Sequence, residues 1–162
     1  MRMTLRYSAA LLQVVLVLLA FSISQSLSAA ESFDSRGILE RYRVAMTQRD
    51  AGALERMILP DALIKVSLVK ESEPNIVISL SRAEYLQQMR ALWRFSSEQR
   101  YTIDLRNVQE VGDNQWNVVL TQKDEYTLFG ESIGQQSDIV MQCELHDGAI
   151  AISAIRTVTR QW

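Results

Sequence analysis

SRGILERYRVAMTQRDAGALERMILPDALIKVS, residues 35–67, is the stretch whose reading decides the fold. In its first half Ile38, Leu39, Tyr42, Ala45 and Met46 recur at helical spacing, an apolar stripe set against Glu40, Arg41 and Arg43. Such residues share one face of a helix with about 3.6 residues per turn. Asp34 or Ser35 supplies an oxygen for the open N–H groups of the first turn. Asp50 starts a second, shorter helix in the same way, and its charge sits favourably at the positive end of the helix dipole. Leu54, Met57 and Ile58 form the inner face of that helix. Pro60 has no N–H to continue the helix, so it is expected to stop there. An apolar strand is then expected over residues 62–69.

Working outward, residues 71–75 form a polar turn into a second strand over residues 76–80. Ser81-Arg82-Ala83-Glu84 matches a capping box, in which the serine caps forwards and the glutamate reaches back. The helix it opens carries Tyr85, Leu86, Met89, Leu92 and Trp93 on one side and ends near residues 95–97. Everything beyond is strand pattern. Tyr101, Ile103 and Leu105 alternate with Thr102, Asp104 and Arg106, and Gly112-Asp113-Asn114 turns the chain into Trp116, Val118 and Leu120. Gly130 and Gly134 are read as bracketing a looser connection before a strand over residues 137–145. Asp147-Gly148 suits a tight hairpin turn with positive φ, and residues 149–158 return as the last strand. Strands joined by turns rather than helices must pair mostly antiparallel, with one face left for the N-terminal helices. The class is therefore α+β, and no repeat, low-complexity run or linker divides residues 31–162.

The first thirty residues read as a leader rather than as fold. Arg2 and Arg6 precede an apolar run over residues 9–21 broken only by Gln13, and Ser28-Ala29-Ala30 offers small residues for cleavage after Ala30. That is the layout of a secretory signal peptide, and the run is shorter than the ~20 residues of a spanning helix. The expected location is the periplasm or outside the cell. The leader carries two positive charges and no acids, so residues 31–162 hold 15 basic and 19 acidic side chains, a net charge of −4. The basic residues are scattered singly, which excludes a nucleic-acid footprint, and no second apolar stretch is long enough for a membrane. Cys143 is the only cysteine and alternates with Ile139, Met141 and Leu145, so it is expected to be a buried, inert thiol.

The order helix, helix, strand pair, helix, antiparallel meander resembles the NTF2-like superfamily, the SnoaL and ketosteroid-isomerase-like α+β cone. The local match lies in Arg41-Tyr42, in Asp50-Ala51-Gly52-Ala53-Leu54 and in Pro60-Asp61-Ala62. The resemblance implies a curved, mostly antiparallel sheet wrapped around the N-terminal helices, with a cavity at the wide end. In the isomerase branch a tyrosine of the first helix bonds the developing enolate oxygen, a strand carboxylate moves the proton and a late acid assists. Carried across, the tyrosine falls on Tyr42, but the base falls at about Val66 and the late acid at about Met141. Neither apolar side chain transfers a proton. The dehydratase branch uses histidine, and His146 beside the Asp147-Gly148 turn is the only one.

The remaining candidates come from alternation. If Trp116, Val118 and Leu120 face the helices, the same period carries Gln122 and Asp124 inward, near the mouth of the cone, unless a bulge turns Asp124 out. A polar pair at the rim of an apolar pocket is how small-ligand sites are commonly built, and desolvation there would raise the carboxyl pKa. Tyr42, Trp93, Tyr101 and Trp116 are candidate pocket walls, or simply core. No metal-ligand set, Gly-rich phosphate loop or paired nucleophile and histidine is present, so no cofactor or metal is expected.

Three readings follow. The first is an exported, non-catalytic domain that binds a small apolar or amphipathic molecule, or a protein partner in the cell envelope. The second is a small isomerase- or hydratase-type enzyme using Asp124 with Tyr42 or Tyr126. The third is a structural homodimer formed across the outer sheet face, where Val119, Val140 and Ile155 are read as pointing outward.

Overall fold

The computed structural model describes residues 34–70 and 73–162. The expected leader and cleavage site lie outside the described residues, as do two residues of the polar turn at 71–75. Helices α1 (Ser35–Gln48) and α2 (Ala51–Met57) lead into β1 (Ile58–Lys70) and β2 (Glu73–Leu80). Helix α3 (Arg82–Phe95) follows, then β3 (Ser96–Gly112), β4 (Gln115–Leu128), β5 (Glu131–His146) and β6 (Ala149–Gln161). One six-stranded sheet results, in the order β2-β1-β6-β5-β4-β3. Every neighbouring pair is antiparallel except β1 with β6, which is parallel.

The helix starts are those the capping residues dictate. Asp34 accepts from Gly37 N, Asp50 from Ala53 N, and Ser81 and Glu84 close the capping box of α3. The stripe Ile38, Tyr42, Ala45 and Met46 is buried against the concave face of the sheet, joined by Leu54, Leu86 and Trp93 from the other helices. The sheet answers with Ile64, Val118, Leu120, Met141, Cys143 and Ile152. Burying each large apolar side chain contributes about 1.5–3 kcal/mol, enough to hold helices this short against the sheet.

Several boundaries differ from the sequence reading: β2 begins at Glu73, inside the expected polar turn, β6 runs on to Gln161, and two further differences have a clear local cause. β1 begins at Ile58 rather than at residue 62, and Pro60 lies inside it. The strand tolerates proline because regular pairing to β2 starts only at Ile64, and the ladder to β6 skips from Ile58 to Leu63. No hydrogen bond is asked of the missing N–H. In the second case, the expected loose connection between Gly130 and Gly134 is a two-residue hairpin turn at Phe129 and Gly130, with φ of 52° and 90°. β5 therefore starts at Glu131 and runs straight through Gly134. Gly134 serves close approach instead of a break, because a Cβ there would sit 2.4 Å from the indole Nε1 of Trp162.

Ile155 also departs from expectation. It is 2% exposed and pairs with the buried Met141, so it belongs to the inner face and not to an outer patch. The β5–β6 register jumps from Gln142–Ala154 to Cys143–Ile152, leaving Ser153 as a bulge, so alternation on β6 changes phase there. On the outer face Val119 and Val140 are opposite one another and half-buried. Arg106 donates to Thr121, Thr121 to Asp138, and Arg160 to Asp138, lacing that face with polar contacts.

Replacing Ser81 with alanine removes the cap one turn ahead of Tyr85. It is expected to cost about 1 kcal/mol in urea denaturation, with the slope of the transition unchanged.

Candidate functional site

Strand β4 builds the site. Trp116, Val118, Leu120, Gln122, Asp124 and Tyr126 are all buried, so the two-residue period holds across the whole strand. The bulge that would turn Asp124 outward does not occur: β4 pairs with β5 without a register shift from Gln115 to Leu128. Asp124 is 3% exposed and lines a cavity of about 280 Å³ that opens to solvent on one side. Helix α1 contributes Tyr42 and Met46 to this cavity, α3 contributes Tyr85, Gln88, Met89 and Leu92, and β1 contributes Val66 and Leu68. Gln135, Ser137 and Ile139 of β5 and Thr157 and Thr159 of β6 complete the far side.

A chain of hydrogen bonds fixes the polar floor. The Gln122 amide nitrogen donates to both oxygens of Asp124, at 2.9 and 3.0 Å, and the Gln135 amide nitrogen donates to Oδ2 at 2.9 Å. With its nitrogen turned to the carboxylate, Gln122 presents its carbonyl oxygen to Tyr42, whose hydroxyl donates to it at 3.0 Å. The Tyr85 phenol lies close enough to Tyr42 for each to influence the other's titration. Tyr42 has one proton and gives it to Gln122. Donation thus runs from the Tyr42 phenol through the amide and ends on Asp124.

Burial sets the electrostatics. Loss of water pushes the Asp124 pKa up, and the Gln135 and Gln122 amides partly offset this by favouring the charged form. Burial holds the Tyr42 phenol well above its ordinary value and raises Tyr85 to about 12. Tyr101 and Tyr126 are raised for the same reason, and the Asp124 charge adds to the shift at all four tyrosines. These phenols stay protonated at neutral pH and act as hydrogen-bond donors or acceptors, never as bases.

Of the six candidate pocket residues, Tyr42, Gln122 and Asp124 meet in the cavity. Trp93, Tyr101 and Trp116 do not line it. Trp93 donates its indole N–H to the Tyr101 hydroxyl at 2.8 Å, joining the end of α3 to β3. Trp116 is buried further along β4. Tyr126 is buried and within the field of Asp124 but does not line the cavity. Val66 lines the cavity as an apolar wall, and Met141 is packed solid in the core. His146 lies at the exposed hairpin turn, 3.5 Å from the Asp147 carboxylate. Cys143 is fully buried, and desolvation raises its thiol to about 12. Among the described residues no group of His, Cys, Asp and Glu side chains is placed to hold a metal ion.

The sequence reading missed Gln135 and Tyr85 as site residues. Tyr85 was assigned to the inner side of α3 without a role. Gln135 was hidden by the misread connection: once Phe129-Gly130 is seen as a tight turn, counting outward along the hairpin sets Gln135 opposite Asp124.

A bent sheet closed over three helices, with a chamber between them, is an α+β cone. It is the NTF2-like fold. The chain is similar to an NTF-2 like protein of unknown function from Silicibacter pomeroyi, with a TM-score of 0.52 at 20% identity over 78% of this chain and 92% of that one. It is similar to a ketosteroid isomerase-like protein from Erwinia carotovora, with a TM-score of 0.58 at 12% identity over 80% and 98%. A third likeness is to a type 2 hexachlorocyclohexane dehydrochlorinase, LinA, with a TM-score of 0.56 at 18% identity over 76% and 83%. No family model matches the sequence, and no curated protein matches it.

Two outcomes check this geometry. Tyr42→Phe leaves the buried Gln122 carbonyl without its donor and is expected to cost about 1–3 kcal/mol in urea denaturation. Asp124 gives a pH signature. Its folded pKa is raised, so its contribution to stability is greatest below the unfolded value and is lost as pH rises through the folded value. Asp124→Asn removes that titration. The melting temperature of the variant minus that of the wild type is therefore expected to shrink steadily from pH 7 down to pH 4.

Proposed function

We propose that this protein is an exported small-molecule receptor of the cell envelope, its ligand held inside the cone. The observation that carries this reading is a cavity that is apolar along Met46, Val66, Leu68, Met89 and Leu92, with polar groups converging at Tyr42, Gln122 and Asp124. Such a site binds an amphipathic compound: the apolar part is desolvated among Met46, Val66, Leu68 and Leu92, and the polar part is oriented at the floor. A volume of about 280 Å³ is at the small end for ligand pockets, which favours a compact molecule over a long acyl chain. The apolar leader with Arg2 and Arg6 supports the assignment to the envelope.

The second reading is proton transfer, and a specific observation favours it: a desolvated carboxylate lines the chamber beside two tyrosines. With its pKa raised, Asp124 would be a stronger base than a surface aspartate. It could take a proton from carbon next to a carbonyl or from an attacking water. The same cone in a dehydrochlorinase supports the fold's capacity for such eliminations. Against it stands the commitment of the Tyr42 proton to Gln122, which leaves a developing oxyanion without that donor.

Extraction and mass spectrometry of protein recovered from expression of the full chain separates the readings. The receptor reading predicts a co-purifying small molecule that Met46→Trp, by filling the cavity, displaces. A clean protein that turns over an added substrate overturns it. Incubating the recovered compound with protein in heavy water tests the second reading, which predicts deuterium gained at carbon with the wild type and none with Asp124→Asn.

A further inference from the structure

We propose that the cavity floor is an ammonium-binding site, so that the ligand is a small amphipathic amine whose N–H donors meet Asp124. This inference rests on the small-molecule reading above and names the chemistry of its ligand. Among the described residues no Lys, Arg or His lines the cavity, yet a carboxylate does. The groups that face Asp124 are Tyr42 from α1, Tyr85 from α3, Tyr101 from β3 and Tyr126 from its own strand, all neutral phenols. Its hydrogen-bond partners are the uncharged amides of Gln122 and Gln135. Arg49 acts on Tyr101 but donates to the Trp93 carbonyl. Lys123 and Glu125 alternate to the outside.

Amides satisfy the hydrogen-bonding of a carboxylate without neutralising it, so the buried charge still lacks a counter-ion. The two oxygens offer about four lone-pair positions, and three N···O contacts occupy them here. The remaining capacity opens on the chamber that Asp124 lines. A neutral donor would use that capacity and leave the charge; an ammonium group answers both. An anionic ligand would be repelled at close range with no cation to offset the cost. The other polar lining groups do not alter this balance: Ser137 and Thr159 bond each other at 2.8 Å, and Thr157 and Gln88 carry no charge.

The test measures affinity of the full-chain protein, cleared of co-purified ligand, for matched probes by calorimetry. Three pairs serve: 2-phenylethylamine with 2-phenylethanol, cyclohexylmethylamine with cyclohexylmethanol, and hexylamine with hexanol. Phenylacetate is the anionic control. At pH 7.5 the best-binding amine is expected to bind at least tenfold tighter than its alcohol, and phenylacetate weakest of all. The amines stay charged down to pH 4, so protonation of Asp124 is expected to shrink that ratio towards one in the wild type. Asp124→Asn is expected to abolish the preference at pH 7.5; the wild-type pH series decides the matter if that variant does not fold. Alcohols binding as tightly as amines, or a preference that survives in Asp124→Asn, overturns the ammonium site and leaves the cavity reading standing. Binding by none of the probes overturns both.

Discussion

A carboxylate taken out of water must be held by something, and in this protein it is held by dipoles alone. Asp124 accepts from the Gln122 and Gln135 amides, and Gln122 is locked in turn by the Tyr42 hydroxyl. The chain crosses three elements, α1, β4 and β5. Helix α1 must lie over the sheet at one height for Tyr42 to reach Gln122, and β5 must pair in one register for Gln135 to reach Asp124. A connected polar network in a low-dielectric site fixes geometry more sharply than apolar packing does. Each link removed leaves a buried polar atom without a partner.

That arrangement is costly to stability, which is why it reads as functional. The positions around it follow the rules of a core: Leu120 and Ile139 flank the floor, and the same period on β4 supplies Trp116 and Val118. An apolar residue at position 124 would continue the pattern without desolvating a charge. Local rules are broken in this way most often where a site requires it. The rest of the cone offsets the cost through the buried α1 stripe and the concave sheet face.

Much of this was legible in the sequence because the relevant signals were local. The Asp50 and Ser81 caps, the α1 stripe, the Asp147-Gly148 turn and the inward run of Gln122 and Asp124 each depend on a few neighbouring residues. The errors came where distant partners decide. Pro60 sits in a strand because neither neighbour asks for its N–H at that point. Gly134 continues a strand because Trp162, at the far end of the sequence, packs over it. Ile155 faces inward because a bulge at Ser153 changes the phase of β6. The candidate site was half legible for the same reason: alternation gives Gln122 and Asp124, whereas Gln135 and Tyr85 require register and helix placement. Aromatic bulk alone did not separate the cavity wall Tyr42 from Trp93 and Trp116, which fill the structure elsewhere.

The central claim is that Asp124 carries its charge inside the cone with amides and, among the described residues, no cation for company. Selective labelling of aspartate side-chain carboxyl carbons, with an NMR titration assigned through Asp124→Asn, measures this directly. The account predicts an Asp124 midpoint clearly above the ordinary aspartate value of about 3.9. A midpoint at or below that value would mean that a positive charge or bulk water reaches the carboxylate, and would contradict the account.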